Sequence, residues 1–431
     1  MDLFTRWSHK ILEGPLPHAQ RQADTVAEQS QRLLQQHLDL WWNQPQTLPE
    51  FPFTFSDKAH AQNEKRLDQW AGGLIYELKR LPDDEQSRQE FETRLKPGLT
   101  EFARTALNLE PRHLDFIQST GMVEASQKFA RMARAFDPQI RAIDIYQAGR
   151  NVMTMNMLQV LLGLPAEVTP AVFAYSMLYP YTDNYLDDPA VSRTTKLAFN
   201  HRFHLRLSGE NVPPANKHEE TLYRLVALIE DQWDRTRYPL VYDSLLEIQA
   251  AQMRSLRLVS PGAAPYELDV LGISFEKGGV SVLADGYLVA GWLTPEQAAF
   301  TYGYGAYTQL MDDLEDIQED LQAGRQSIFT QTAGRWPLDH LTSRMIHFGR
   351  AVFGDFSAFT TPAASSMREL TDRGIDSVLI DIIGRAAKYY SKPYLRELER
   401  HVPFRFASTA RQRKKFERQK LNLSRLVESV I

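Results

Sequence analysis

Gly305-Ala-Tyr-Thr-Gln309-Leu-Met-Asp312-Asp313-Leu-Glu315-Asp316, followed by Glu319 and Asp320, closes a long segment of helical periodicity. Six carboxylates fall within nine residues near the end of that segment. A helix C-terminus carries partial negative charge, and like charges four apart repel, so the run asks for neutralisation from outside the chain. Hard carboxylate oxygens suit Mg²⁺, and several ions are the expected cofactor.

Outward from this run the pattern is helical almost throughout. Residues 21–42 read as a polar helix ending at Trp41-Trp42, with a Pro-rich loop through Phe53. Residues 59–80, 84–106 and 113–136 repeat apolar positions every three or four residues, as amphipathic helices do. Loop signals stand at Ser208–Lys217, Ser260–Pro265 and Phe353–Ala363, with helices resuming on either side. The expected fold is all-α, a bundle of helices. Residues 1–110 are expected to form an N-terminal helical portion packed on the main bundle of residues 111–431, with no linker signal between them.

Thr169-Pro170 and Thr294-Pro295 each place an N-cap before an N1 proline, and Gln297 completes a capping box in the second. The first helix runs to Asp183-Asn184-Tyr185-Leu186-Asp187-Asp188 and stops before Pro189, with Pro180 expected to kink it. The second runs through the acidic cluster to Gly324. Asp312 and Asp316 share one helical face, as do Asp183 and Asp187. Two such faces set opposite each other make a carboxylate-lined mouth, and Mg²⁺ held there by few protein ligands bridges to phosphates. The implied substrate is a diphosphate; a solvated acidic face is the bland alternative for either cluster alone.

Gly305-x-x-x-Gln309-x-x-Asp312-Asp313-x-x-Asp316 resembles the second aspartate-rich motif of trans-prenyl diphosphate synthases, members of the class I isoprenoid synthase superfamily. Glu276-Lys277-Gly278-Gly279, with its lysine 35 residues before Asp312, resembles the family's lysine-bearing helix. Gly324-Arg325 stands where the family has Gly-Lys, and Asp183-Asn184-x-x-Asp187 is similar to the first motif with asparagine in second place. The resemblance covers about residues 145–330. No Gly-Gly-Lys-x-x-Arg-Pro segment of the chain-elongating enzymes is present, and the runs from Asn184 and from Glu276 to Tyr287 look like bacterial large-terpene (class IB) synthases. Lys388-Tyr389 resembles the Arg-Tyr diphosphate sensor of bacterial cyclases, with lysine where a bidentate fork is usual.

The resemblance implies that residues 111–431 are a catalytic helical bundle around a deep central pocket, in a Mg²⁺-dependent terpene synthase that ionises a linear prenyl diphosphate. Asp183, Asp187, Asp188, Asp312, Asp313 and Asp316 are its candidate metal ligands. Lys277, Arg193, Arg325, Arg150, Lys388 and Tyr389 are candidates for the diphosphate. Gln309, Asn184, Tyr179 and Gly305 are candidates for the reacting pocket, Tyr179 pointing beneath the metals and Gly305 leaving room opposite. A prenyltransferase joining an allylic diphosphate to a second prenyl unit is the first alternative. An inactive helical scaffold is the second, and a homodimer is implied by the family.

Other features narrow the class of protein. A net charge of −5 gives no basis for nucleic-acid binding, and the chain holds no cysteine for disulfides or thiolate sites. No signal peptide opens the sequence and no run of 18 apolar residues occurs, so a cytoplasmic location is expected. Arg150-Asn151 reads equally as a diphosphate contact or as a buried-end salt bridge. The stripe Met153, Met155, Met157, Leu158, Leu161 and Leu162 reads as core rather than substrate wall. His201 and His204 lack partners at metal-ligand spacing. The basic stretch from Arg411 to Lys420, before Leu421, Leu423, Leu426 and Val427, reads as a solvated terminal helix or as a peripheral membrane contact.

Overall fold

The computed structural model describes residues 25–78, 98, 100, 101, 104, 109–188, 190–259 and 267–418, with the side chains of Glu77, Leu78, Asp187 and Arg373 excepted. The expected helix over 84–106, the loop at Ser260–Pro265 and the apolar tail from Leu421 therefore lie largely outside the described residues. Among the described residues every regular element is helical and no strand occurs.

The elements are α1 (Val26–Trp42), α2 (Asp57–Leu78), α3 (Pro111–Ser119), α4 (Met122–Phe136), α5 (Ala142–Leu161) and α6 (Pro170–Asp187). Next come α7 (Arg193–Leu207), α8 (Lys217–Gln232), α9 (Pro239–Ser255), α10 (Val270–Ala290), α11 (Pro295–Glu315) and α12 (Ile317–Ala323). The chain closes with α13 (Ile328–Thr332), α14 (Asp339–Gly354), α15 (Pro362–Arg385), α16 (Lys392–Glu399) and α17 (Phe406–Glu417).

The two N-caps act as the sequence requires. Thr169 accepts the Val172 N–H to start α6, and Thr294 and Gln297 form a reciprocal capping box on α11. Two expected helices are broken. The segment 113–136 is α3 and α4, separated at Gly121, whose φ of 78° lies in the left-handed region. The acidic helix does not run unbroken to Gly324: it stops at Asp316, which caps both α11 and α12. The break buries Ile317 while Glu315, Asp316 and Glu319 stay at the surface. Gly324, with φ of 69°, ends α12.

Helix α10 is the centre of the bundle. It is apolar on nearly every face, as a helix surrounded by others must be. It packs along α11 on one side and α9 on another, with α1, α5 and α6 completing its surround. Contact with α11 is backbone to backbone. A Cβ built at Gly278 would lie 2.3 Å from the Gly305 carbonyl oxygen, and one at Gly305 would lie 2.0 Å from that of Gly278. One apolar cluster joins α4 to α10; a second joins α11, α14 and α15. Helix α1 serves both, with Val26 and Leu33 in the first and Trp41 in the second. Helix α2 lies against α17, where Lys415 pairs with Asp68 at 2.9 Å and Arg413 reaches Asp381 on α15. Both basic side chains are thus ion-paired within the fold, Arg413 partly buried and Lys415 at the surface. No helix among the described residues is long and apolar enough to cross a membrane.

Candidate active site

Three helices aim polar residues at one another. Tyr175, Tyr179 and Asp183 recur every four residues on α6, and Tyr304, Thr308 and Asp312 do the same on α11. Between them α5 presents Arg150, Asn151 and Thr154. Arg150 Nη2 donates to Asp312 Oδ1 at 3.0 Å. The Tyr179 hydroxyl bonds to Asp183 and lies in the fields of Asp312 and Arg150; burial, then these carboxylates, raises its pKa. Tyr179 nevertheless exposes 43% of its surface. Its hydroxyl thus lies beside both acidic helix ends while part of the side chain is open to solvent. Gln252 on α9 donates to Asp183 Oδ1 at 3.3 Å. The two acidic helix ends thus converge through Tyr179 and Arg150.

The carboxylates after Asp312 separate into distinct settings. Asp313 turns toward α10, accepting from Ser274 Oγ at 2.9 Å and Gln309 Nε2 at 2.8 Å. Burial pushes it up to about 6, against the pull of those bonds and of nearby Lys277. Asp316 is also pushed up to about 6, by partial burial and then by Asp312, Asp320, Glu319 and Glu315. Asp320 is raised by burial, while Arg325 and Lys277 act against that shift. Glu315 pairs with Arg385, and Lys388 Nζ donates to Gln318 Oε1 at 3.0 Å while lying 4.8 Å from the Tyr389 ring centre. Lys388 and Tyr389 therefore flank the acidic segment from the α15 side. Arg193 is exposed at the start of α7.

Several expected positions stand elsewhere. Gly305 does not open room opposite Tyr179: it is spent on the close crossing with Gly278, where any side chain would strike backbone. Gln309 holds Asp313 with its amide, so its polar end faces α10. Asn184, about 100° around the helix from Asp183, faces outward and donates to Asp144 Oδ1 at 3.1 Å. Asp188 accepts the Ala190 N–H at 2.8 Å and caps α6. Both line an outer cavity of about 330 Å³ with Asp137, Arg141, Tyr185 and His218. The Asp187 side chain lies outside the described residues. Of the methionine stripe, Met155, Leu158 and Leu161 are core, whereas Met153 is exposed.

The sequence pattern did not single out the interior polar group behind Arg150. Asn151 Nδ2 donates to Asp285 Oδ1 at 3.1 Å and to Ser176 Oγ at 3.2 Å. Tyr175 and Tyr304 lie within the field of Asp285. The available signal was one aspartate in the apolar run Val280-Ser-Val-Leu-Ala-Asp285-Gly-Tyr287.

No protein-family model matches the chain, and no curated protein matches it. Among the described residues no three carboxylate or imidazole groups form a ready metal-binding set. A hard divalent ion does not need one. Mg²⁺ keeps several waters and takes one or two carboxylates plus phosphate oxygens. Asp183 and Asp312, which both act on the Tyr179 hydroxyl, are the pair that would meet that requirement; the Asp316 carboxyl beside Asp312 is raised by partial burial first and by the neighbouring carboxylates second. Asp313, held by two donors on its inner side, fits it less well.

Proposed function

We propose that the chain is a Mg²⁺-dependent class I terpene synthase that releases pyrophosphate from a linear prenyl diphosphate. The observation that carries this reading is the convergence of Asp183 and Asp312 on Tyr179 and Arg150. Asp183, Asp312 and Asp316 would hold the metal, with Asp187 expected beside Asp183 from its spacing. When bound, Mg²⁺ supplies positive charge that stabilises the leaving diphosphate. Arg150, paired with Asp312, and Lys277, near Asp313 and Asp320, would bind the diphosphate oxygens, and Arg325 would add charge near Asp320. The rings of Tyr175, Tyr179 and Tyr304 offer electron-rich faces to an allylic cation formed beneath the mouth.

Incubation of the purified protein with Mg²⁺ and geranyl, farnesyl or geranylgeranyl diphosphate tests the proposal, each with and without isopentenyl diphosphate. Pyrophosphate release from an allylic substrate alone is expected. Release that depends on isopentenyl diphosphate would make the protein a prenyltransferase instead. No release, together with no Mg²⁺-dependent binding of pyrophosphate, would leave only a helical scaffold.

A further inference from the structure

The turn from α13 into α14 and the loop after α1 border a cavity of about 420 Å³, lined by none of the carboxylates of the acidic mouth. Gly334, at a φ of 76°, lets the chain turn, and the Trp336 N–H donates to the Thr332 carbonyl oxygen at 3.1 Å. This turn sets Trp336 on the cavity wall with 65% of its surface exposed. An indole has a broad apolar face, and covering it with a ligand removes that face from water. Across the cavity α14 holds the loop. Arg344 Nε donates to the Gln44 carbonyl oxygen at 3.4 Å, and His340 Nδ1 donates to that of Gln46 at 3.2 Å.

Arg344 is the unusual member of the wall. Its guanidinium lies 5.0 Å from the ring centre of Trp42 and 5.9 Å from that of Trp41. Among the described residues no carboxylate pairs with it, and its two Nη groups have no acceptor. Partial burial lowers its pKa and no acid opposes that shift. Arg202 and Arg206, also partly buried, are instead raised, first by their hydrogen bonds to Glu219 and Glu230. Asp339 shares the cavity wall, but Ser391 engages both its oxygens, through its N–H at 3.0 Å and its hydroxyl at 2.5 Å.

A guanidinium uses its faces and its edge differently. Aromatic rings take the faces, whereas the N–H edge matches a carboxylate or phosphate through two parallel hydrogen bonds. Here the protein supplies the rings and leaves the Nη edge open. A charged group drawn partly out of water is normally paired, and ring contacts leave its N–H donors unsatisfied.

We propose that this cavity binds a planar organic anion, whose carboxylate or phosphate group meets the Nη edge of Arg344 while its flat body lies on Trp336. Ligand sites run from roughly 300 to 1,000 Å³ and combine apolar or aromatic walls with a few convergent polar groups, so the space suits a small molecule. The open guanidinium edge selects for negative charge, and the exposed indole selects for a flat apolar body. A bare inorganic anion satisfies only the first. The site stands apart from the diphosphate chemistry proposed above, whose residues lie on other helices.

Titrations of the ¹⁵N-labelled full chain, read at the tryptophan indole N–H resonances with Trp336 assigned through Trp336→Phe, test this. Benzoate and phenyl phosphate should move the Trp336 resonance saturably; a shift with one alone assigns the headgroup. Benzyl alcohol, which has the ring without the charge, and inorganic phosphate, which has the charge without the ring, should each bind about tenfold or more weakly. Arg344→Met should weaken binding of the organic anion by about tenfold or more, and Arg344→Lys should recover only part of the loss, because an ammonium lacks the fork. No Trp336 shift with either organic anion overturns the site. Equal binding of benzyl alcohol and benzoate, or unchanged binding in Arg344→Met, overturns the pairing with Arg344. Inorganic phosphate that binds as tightly as phenyl phosphate overturns the contact with Trp336. If Arg344→Met does not fold, the comparison of benzoate with benzyl alcohol on the wild type decides.

Discussion

Replacing Gly305 by alanine puts two well-known effects in opposition. Within a helix interior Ala is favoured over Gly by about 1 kcal/mol, so helix propensity alone predicts a more stable protein. The crossing of α10 and α11 predicts the reverse. The added Cβ would lie 2.0 Å from the Gly278 carbonyl oxygen, 2.7 Å from its carbonyl carbon and 3.0 Å from the Gly279 Cα. Restoring the shortest contact to an ordinary 3.4 Å requires the backbones to part by about 1.4 Å. Every neighbour here is main chain, so no side-chain rotation relieves the clash. Overpacking costs roughly 1–3 kcal/mol, and a rigid site belongs at the upper end, which leaves a net loss of about 2 kcal/mol after the propensity gain. The movement also draws Ser274 on α10 away from Asp313 on α11. Urea unfolding of Gly305→Ala and of Gly149→Ala supplies the assay. Gly149 lies inside α5 with nothing within 4 Å of its built Cβ, so its alanine variant should gain up to about 1 kcal/mol. A Gly305→Ala variant stabilised to the same degree would refute the close crossing and with it the placement of Lys277 and Asp313.

Three further outcomes are expected. Glu219 is buried and accepts from Arg202 and from the Ala215 N–H, so Arg202→Met should destabilise by about 3–5 kcal/mol, and Arg202→Met/Glu219→Leu should recover most of that in the same unfolding assay. The folded Asp313 carboxyl, at about 6, binds its proton more tightly than its ordinary 3.8, so the native state holds the extra proton between those values. Its contribution to stability in metal-free buffer should therefore fall as pH rises from about 4 to about 6, and Asp313→Asn should flatten that part of the profile; a wild-type contribution that grows over this window contradicts the assignment. Mg²⁺ with pyrophosphate should raise the wild-type melting temperature, with little effect on Asp312→Ala/Asp316→Ala; equal shifts in both would remove these carboxylates from the site.

Much of the helical framework was legible because its signals are local. Thr169-Pro170 and Thr294-Pro295 carry their own instructions for starting a helix, and both are obeyed. The acidic cluster was equally plain, although its continuity was not. The interruption at Asp316 depends on burying Ile317, which periodicity over so short a stretch does not reveal. Gly305 shows the limit from the other direction. A glycine on a helix is consistent with an open space, a bend or a close neighbour, and only the position of Gly278 selects among them.

Composition, periodicity and caps determined that this protein is helical and that two of its helices end in carboxylates, because each is encoded within a few residues. Which carboxylates meet was decided by packing. Asp183 and Asn184 are consecutive, yet about 100° of helical rotation sends one to Tyr179 and the other to Asp144. Asp312 and Asp313 part in the same way, toward Arg150 and toward Ser274. The burial of Asp285 is likewise a property of the helices around α10, since no local pattern states what will close over an aspartate. Sequence spacing places a residue on a helix face; the neighbouring helices decide whether that face becomes mouth, floor or outer wall.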